Sequence, residues 1–303
     1  MQKNVLISGG TGTIGHHLTQ KLLAQGYQVS YLSRRAENYP NVKVYQWDIE
    51  KNYLEPGALE QADYLIHLAG AGIADKTWTE ERKTLIRESR VHSGVLLAEK
   101  IQSLAKKPQA VVAASAIGFY GFDTGSTLMQ EDSPAGQDFL ADITHAWEKA
   151  SDQIAAQGIR MVKFRIGIVL SPEGGALPKL TEPIKYGVGA ALGSGDQYLS
   201  WIHVEDLCRM FVFALENENL EGVFNAVAPH PVTNATLTKV AARVLKRPLW
   251  LPNVPALALH IMLGDRAKLV LGGSKVSSEK IEATGFSFEY PYIEPAVENL
   301  FNE

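Results

Sequence analysis

The feature that most constrains the fold is a glycine-rich segment directly after the first apolar run. Residues 5–7 (Val-Leu-Ile) predict a strand buried on both faces, and residues 14–25 predict an amphipathic helix. Gly9 and Gly12 lie between them, and Gly15 follows at the same spacing at the start of the helix. The first glycine permits a tight turn, the second lets the backbone approach a pyrophosphate, and the third lets the helix pack against the strand. A plain surface loop is the alternative, but the flanking strand and helix favour dinucleotide binding.

The end of the second predicted strand, 28–32, indicates which dinucleotide binds. Folds that prefer NAD usually carry an acid about twenty residues beyond the glycine turn, where it holds the ribose 2′-hydroxyl. This chain has Ser33, Arg34 and Arg35 there. Because a hydroxyl and two guanidinium groups suit a 2′-phosphate, the sequence predicts NADP(H). A solvated basic turn is the alternative.

Apolar runs alternate with helical patterns along the first 170 residues. Further strands are predicted over 42–46, 64–68, 110–114 and 161–170, with helices over 79–103 and 139–157. This order predicts an α/β fold, a Rossmann-type doubly wound parallel sheet. We assign 1–170 to the dinucleotide-binding domain, with 201–227 returning to it, and 171–200 and 228–303 to a smaller C-terminal substrate lobe. Ligands are expected to bind between the lobes.

Composition excludes several other classes of protein. The 303 residues carry a net charge of -4, which argues against a broad nucleic-acid or anionic-membrane surface. The single Cys208 excludes an internal disulfide and fits a reducing compartment. There is no signal-peptide pattern or membrane-length apolar run, so we expect a cytoplasmic protein with no membrane or nucleic-acid partner. The histidines have no metal-ligand spacing, so no metal is predicted.

The chain resembles the extended branch of the short-chain dehydrogenase/reductase superfamily over nearly its full length. More narrowly, it resembles its NAD(P)-binding epimerase-family proteins, often described as nucleoside-diphosphate-sugar epimerase-like, including their C-terminal domain. The motifs that carry the resemblance are Gly9-Gly10-Thr11-Gly12-Thr13-Ile14-Gly15, Leu68-Ala69-Gly70, Trp78-Thr79-Glu80-Glu81-Arg82-Lys83, Ser89-Arg90, 115–121, Trp147-Glu148, 165–170, 200–203 and the segment from Leu251-Pro252 through Gly285-Phe286.

This resemblance, together with the glycine turn and the basic strand end, implies a set of residues around the cofactor. Ile166 and Gly167 are expected near the nicotinamide. The full set is Gly9, Thr11, Gly12, Thr13, Ile14, Gly15, Ser33, Arg34, Arg35, Leu68, Ala69, Gly70, Arg90, Ser115, Ile166 and Gly167.

The resemblance breaks at the superfamily's catalytic Tyr-x-x-x-Lys pair, in which the Tyr exchanges a proton with the substrate. If Glu148 occupies the acidic position that often follows the pair, Leu140 and Thr144 stand where Tyr and Lys are expected. Ser115 is then the candidate for orienting the substrate, although its spacing to Tyr120-Gly121 is one residue longer than usual. Tyr120 is the candidate replacement acid, with core packing as the alternative.

Three other polar residues are weaker candidates for acid–base chemistry. His145 could act near neutral pH, although a surface position on a helix is the alternative, and His203 is expected to cap or pack a loop. Asp142 could point inward, but helical phase alone does not settle its direction.

Two functions follow. One is an NADP(H)-dependent oxidoreductase or epimerase acting on a small substrate, which could be a sugar nucleotide. The other is a non-catalytic NADPH-binding sensor or regulatory protein. Whether the chain is an enzyme is left open by the missing pair. By analogy with the superfamily, a homodimer through the helices around 79–103 and 139–157 is possible.

Overall fold

The computed structural model describes residues 2–302, and it is an α/β fold built on a large, mostly parallel sheet. The strands are β1 (Asn4–Ser8), β2 (Gln28–Ser33), β3 (Val42–Asp48), β4 (Tyr53–Leu54), β5 (Tyr64–His67), β6 (Ala110–Ala116), β7 (Leu128–Met129), β8 (Arg160–Ile166), β9 (Ile168–Leu170), β10 (Tyr198–Leu199), β11 (Trp201–His203), β12 (Gly222–Ala226), β13 (Val232–Thr233) and β14 (Lys275–Val276).

The helices lie on both faces of this sheet and in the C-terminal part. They are α1 (Thr13–Ala24), α2 (Glu80–Gln102), α3 (Phe139–Ala155), α4 (Ala176–Lys185), α5 (Val204–Glu216), α6 (Asn234–Val244), α7 (Ala256–Leu263), α8 (Lys268–Leu271), α9 (Glu279–Glu282) and α10 (Ile293–Asn302), with 3₁₀ turns at Ile117–Tyr120 and Gly264–Ala267.

The strand order of the large sheet is β12-β8-β6-β5-β1-β2-β3-β4. All neighbouring strands pair in parallel except the short β4, which is antiparallel to β3. The order reverses between β1 and β5. In open parallel sheets the crevice at such a reversal, at the carboxyl ends of the strands, is where ligands bind. The doubly wound fold is therefore confirmed, and β12 adds an edge strand next to β8.

The prediction of one strand over 161–170 is wrong, because the chain changes sheets at Gly167. β8 pairs with β6 and β12, whereas β9 pairs with β11 in a separate two-stranded sheet. The Gly167 N–H donates to the Ala226 carbonyl at 3.1 Å, and the Ile168 N–H donates to the Ser200 carbonyl at 2.8 Å. A Cβ at residue 167 would lie 2.4 Å from the Ser200 oxygen, so only glycine fits there.

Local sequence explains where the two long helices begin. The Thr79 hydroxyl accepts from the Arg82 N–H and begins α2, and the Asp138 carboxylate accepts from two N–H groups and begins α3. The two helices pack on each other, and a Cβ at Gly94 would lie 3.1 Å from the Cβ of Ala150. The two helices therefore bury part of each other's surface within one chain. That they also form a homodimer interface stays a prediction.

The main hydrophobic core extends from the sheet into the C-terminal residues. It includes Ile7 and Phe164 of the large sheet together with Ile281, Phe286 and Leu300 near the end of the chain. Cys208 of α5 is buried in the same core, and burial raises its pKa to about 12, as expected for a structural thiol. No helix among residues 2–302 is long and apolar enough to cross a membrane.

Candidate functional site

A cleft of about 810 Å³ runs along the carboxyl edge of the sheet at the point where the strand order reverses. Many of its lining residues belong to the predicted cofactor set, and others lie outside that set. The former are Gly9, Thr11, Gly12, Ser33, Arg34, Arg35, Leu68, Ala69 and Gly70. The latter are Leu32, Glu37, Tyr39, Trp47, Ile49, Ala71, Gly72, Asp75, Lys76, Arg82, Leu85 and Ser89.

The glycine turn forms the inner wall of this cleft. Gly9 has φ of +78°, and a Cβ there would lie 2.9 Å from the backbone of Ala69. A Cβ at Gly15 would lie 2.5 Å from the Gly9 carbonyl oxygen, so this third glycine allows α1 to pack against the turn. Gly12 begins α1 without a side-chain cap or an acid in the first turn among the described residues. The positive end of the helix therefore borders the cleft uncompensated, which suits an anion such as a pyrophosphate.

The opposite end of the cleft is basic. Arg34 and Arg35 are both exposed beyond the end of β2, so their guanidinium groups can turn toward a ligand. The acid at this end, Glu37, accepts from the Tyr39 hydroxyl at 2.5 Å and pairs with Arg35 at 3.6 Å. The Tyr39 hydrogen bond lowers the pKa of Glu37. Trp47 lines the cleft here from the end of β3.

The loop that follows β5, residues 70–78, forms the outer wall and has no regular secondary structure. Four successive carbonyls in it accept hydrogen bonds from side chains. The donors are Arg90 Nη1 to Ala71 (2.9 Å), Arg82 Nη2 to Gly72 (2.5 Å), Trp78 Nε1 to Ile73 (2.8 Å) and Arg266 Nη1 to Ala74 (3.1 Å). We call this segment the cleft loop. Its shape is set by side chains of α2, of the loop itself and of the C-terminal part.

Arg90 was predicted to touch the cofactor, and the structure places it behind the cleft loop. Its guanidinium carbon lies 5.0 Å from the ring centre of Trp147 and would lie 3.0 Å from a Cβ at Gly70. Burial, with a smaller contribution from the like charge of Arg82, lowers the pKa of Arg90 to about 10. Sequence periodicity did not predict this burial, because the spacing of Arg90 in α2 is that of an ordinary charged helix residue. The cleft loop covers the side chain only in the folded chain.

Five further residues of the predicted set lie outside the lining of the cleft. Gly15 and Ile166 are buried, and Ile14 packs against the main core. Gly167 lies at the change of sheets described above, where only glycine fits. Thr13 faces the loop after β9, since a Cβ at Gly174 would lie 2.5 Å from the Thr13 hydroxyl. That these residues contact a cofactor stays a prediction.

The two candidate catalytic hydroxyls belong to a buried polar cluster. Ser115 donates to the Glu148 carboxylate at 2.6 Å, and that carboxylate forms a two-pronged ion pair with Arg165 at 2.8 and 3.0 Å. Tyr120 donates to Asn225 at 2.7 Å and accepts from Arg165 at 3.1 Å. Burial raises the pKa of Tyr120. Both side chains are 3% exposed and neither lines the cleft, so the geometry assigns them structural partners and their catalytic role stays a prediction.

The positions where the Tyr-Lys pair was expected lie beside the end of β6. A Cβ at Gly118 would lie 3.3 Å from the Leu140 Cβ and 3.5 Å from the Thr144 hydroxyl. Thr144 donates back to the Leu140 carbonyl. Leu140 belongs to an apolar cluster with Trp78, Ile143 and Leu269.

The weaker acid–base candidates also have defined places. His145 and Asp142 are exposed on α3. His203 accepts from the Glu205 N–H and begins α5, as expected. No group of three or more His, Cys, Asp or Glu in the described chain could hold a metal ion.

Comparison with known proteins identifies the family. The profile described as the NAD dependent epimerase/dehydratase family matches residues 5–227, and a domain of unknown function (DUF1731) matches residues 254–300. The chain belongs to the NAD-dependent epimerase/dehydratase family. Among curated relatives, this epimerase-family protein is 38% identical to the epimerase family protein YfhF of Bacillus subtilis over 299 residues, which cover 98% of this chain and 97% of the relative.

Two further similarities concern the whole length of the chain. The epimerase family protein SAR0825 of Staphylococcus aureus is 36% identical over 303 residues, covering 99% of this chain and 100% of the relative. The crystal structure of the human epimerase family protein SDR39U1 (isoform 2) with NADPH superimposes with a TM-score of 0.88 at 31% identity and covers 99% of both chains. The similarity thus extends through the C-terminal part.

Proposed function

We propose that this epimerase-family protein binds NADP(H) and acts as an oxidoreductase or epimerase on a small substrate, which could be a sugar nucleotide. The observation that carries the proposal is the cleft with an uncompensated helix N-terminus at one end and Arg34 and Arg35 at the other. The two ends suit the pyrophosphate and the 2′-phosphate of one dinucleotide. The NADPH-bound human relative supports the phosphorylated cofactor.

The residues of the cleft fit such a cofactor. The backbone at Gly9 and Gly12 would hold the pyrophosphate, while Trp47 and Leu68 would contact the adenosine half. When bound, the nicotinamide supplies or accepts a hydride. Tyr120, the candidate for moving the accompanying proton, is hydrogen-bonded to Asn225 and Arg165 within the buried cluster. The sensor alternative rests on the missing Tyr-Lys pair alone.

The deciding experiment is a calorimetric titration of the wild-type protein and of Arg34→Asp with NADPH and with NADH. We expect the variant to weaken NADPH binding by about 1.5–3 kcal/mol, roughly 10- to 150-fold, because it loses a charge-assisted phosphate contact. Binding of NADH should change little or improve. Lys239→Asp, an equal charge change at an exposed site on α6, should leave both affinities unchanged. Equal losses for the two cofactors in Arg34→Asp would refute the assignment.

The same titration, repeated on NADPH-loaded protein with sugar nucleotides and small carbonyl compounds, addresses the reaction. A second saturable ligand whose addition leads to loss of NADPH absorbance would establish turnover. If Tyr120 is the acid, Tyr120→Phe should abolish that turnover while NADPH binding remains. Turnover that persists in the variant would leave Tyr120 with its structural role only.

A further inference from the structure

Exposed apolar side chains are concentrated in one region outside the cleft. Eleven large apolar side chains are exposed in residues 2–302, and seven of them come from the two segments 183–194 and 244–264. They are Tyr186, Val188, Leu249, Trp250, Leu257, Ile261 and Met262. We call these seven residues the apolar patch. A concentration of this kind marks an interaction surface, whereas singly scattered apolar residues do not.

Hydrogen bonds join the two segments side by side. Trp250 Nε1 donates to the Gly187 carbonyl at 2.9 Å, which places the indole against the turn that carries Tyr186. The Val254 N–H donates to Ala191 at 2.8 Å, and its carbonyl accepts from Gly193 at 2.9 Å.

Helix α7 continues the apolar patch. Leu257 and Ile261, four residues apart, share one face of the helix and are 71% and 78% exposed. Met262, near the end of the helix, is 73% exposed. Leu259, the buried residue of α7, anchors the opposite face. The apolar side chains therefore project outward from a fixed helix.

The charge around the patch is mostly basic. The segments 183–194 and 244–264 contain Lys185, Lys246, Arg247 and His260 and have no Asp or Glu, although Glu182 and Asp265 directly adjoin them and the whole chain is acidic with a net charge of -4. Lys185 directly precedes Tyr186, and Lys246 and Arg247 lie just before Trp250. All three cations are exposed. The net charge of the whole chain, one of the two grounds for expecting no membrane contact, hides this local excess of cations.

We propose that the apolar patch and its basic flank dock this protein on the surface of an anionic lipid bilayer. Exposed Leu, Ile and Met on a helix, adjacent Trp and Tyr, and flanking Lys and Arg are features of a segment that lies in the interface of a membrane. Lys and Arg reach the headgroups while their stems cover apolar surface.

The test is co-sedimentation with vesicles of 70% phosphatidylcholine and 30% phosphatidylglycerol, compared with vesicles of phosphatidylcholine alone. We expect the wild-type protein to bind the anionic vesicles and to be released by 0.5 M NaCl. Leu257→Ser/Ile261→Ser should abolish binding. Lys246→Gln/Arg247→Gln should weaken it about ten-fold or more, since each cation near an anionic surface contributes about a five-fold factor.

Two variants serve as matched controls. Tyr53→Ser removes an exposed aromatic ring elsewhere, and Lys51→Gln/Lys149→Gln removes the same charge elsewhere, so both should bind vesicles like the wild type. Each patch variant is also titrated with NADPH, and unchanged affinity shows that it is folded. The proposal is overturned if the wild type stays in the supernatant, binds both vesicle types equally, or binds despite Leu257→Ser/Ile261→Ser. A dimer that light scattering detects and this double variant dissolves would instead make the patch an interface between copies.

Discussion

His67 is a buried titratable side chain beside the end of β1. Its ring, 1% exposed at the end of β5, lies between the hydroxyls of Ser8 (2.6 Å) and Ser93 (3.1 Å). Because Ser93 donates its proton to the Arg90 carbonyl, it accepts from His67 Nε2, and Ser8 donates to Nδ1. The ring is thus held neutral, and burial lowers its pKa to about 4.

This residue should make stability depend on pH. The unfolded chain protonates His67 near pH 6.5, whereas the folded protein resists protonation until about pH 4, so the unfolded state binds more protons between these values. We expect His67 to contribute about 3 kcal/mol to the free energy of unfolding at pH 7, a contribution lost as the pH falls from 6.5 to 4.

Urea unfolding at pH 7, 5.5 and 4 measures this effect. Over this range, the free energy of unfolding of His67→Gln should fall by about 3 kcal/mol less than that of the wild type. His145→Gln, which changes an exposed histidine, should follow the wild type. Identical pH dependence in the wild type and His67→Gln would show that other groups control acid sensitivity.

At the scale of elements, the cleft loop is the wall whose position depends on distant parts of the chain. Arg266, which donates to the Ala74 carbonyl, follows α7 in the segment that matches the domain of unknown function. Asp265 lies 3.9 Å from Lys83 of α2, and Leu269 packs with Ile73 and Trp78 of the loop. This C-terminal segment therefore helps to hold the wall of the cleft without lining it.

Arg266→Gln should loosen the cleft loop and weaken NADPH binding about three- to ten-fold, the effect of one partly exposed hydrogen bond to a charged donor. Arg266→Lys, which can still donate to Ala74, should recover part of the affinity. Arg243→Gln, which breaks an ion pair with Glu294 elsewhere in the C-terminal part, is the control. Hydrogen exchange of the amides over 70–78 provides a second readout. Unchanged exchange and affinity in Arg266→Gln would exclude this positioning role.

Sequence patterns predicted the elements whose cause is local and missed those whose cause is distant. The glycine turn, the long helices and the parallel order follow from residues adjacent in the chain. The change of sheets at Gly167 depends on the Ser200 carbonyl, and the Ala74 carbonyl accepts a hydrogen bond from Arg266. Both partners are distant in sequence, so no local pattern predicts either contact. Ser115 likewise looked available for catalysis until the fold brought Glu148 to it.

At the scale of the molecule, the C-terminal residues are part of the core that supports the sheet. Ile281, Ile293 and Leu300 pack in the same cluster as Ile7 of β1 and Phe164 of β8. The division into a dinucleotide-binding domain and a substrate lobe stays a prediction about function, and the shared packing makes the two parts interdependent.

A chain ending at residue 253 should therefore fail to fold stably, since removal of several buried apolar side chains at 2–5 kcal/mol each exceeds the stability of a typical domain. Circular dichroism and urea unfolding of the shortened protein measure this. Leu257→Ser/Ile261→Ser in the full chain is the control, because those exposed residues should not affect the unfolding midpoint. A cooperative transition at the wild-type urea concentration in the shortened chain would contradict the shared core.

The pairing of β12 with β8 has a consequence for synthesis on the ribosome. β8 is complete at residue 166, but the strand that covers its edge begins only at residue 222. At roughly 5–20 residues per second, that edge waits several seconds for its partner. An uncovered parallel edge can pair with another chain, so the interval between these two strands is the period in which nascent copies on one messenger RNA are most exposed to mispairing.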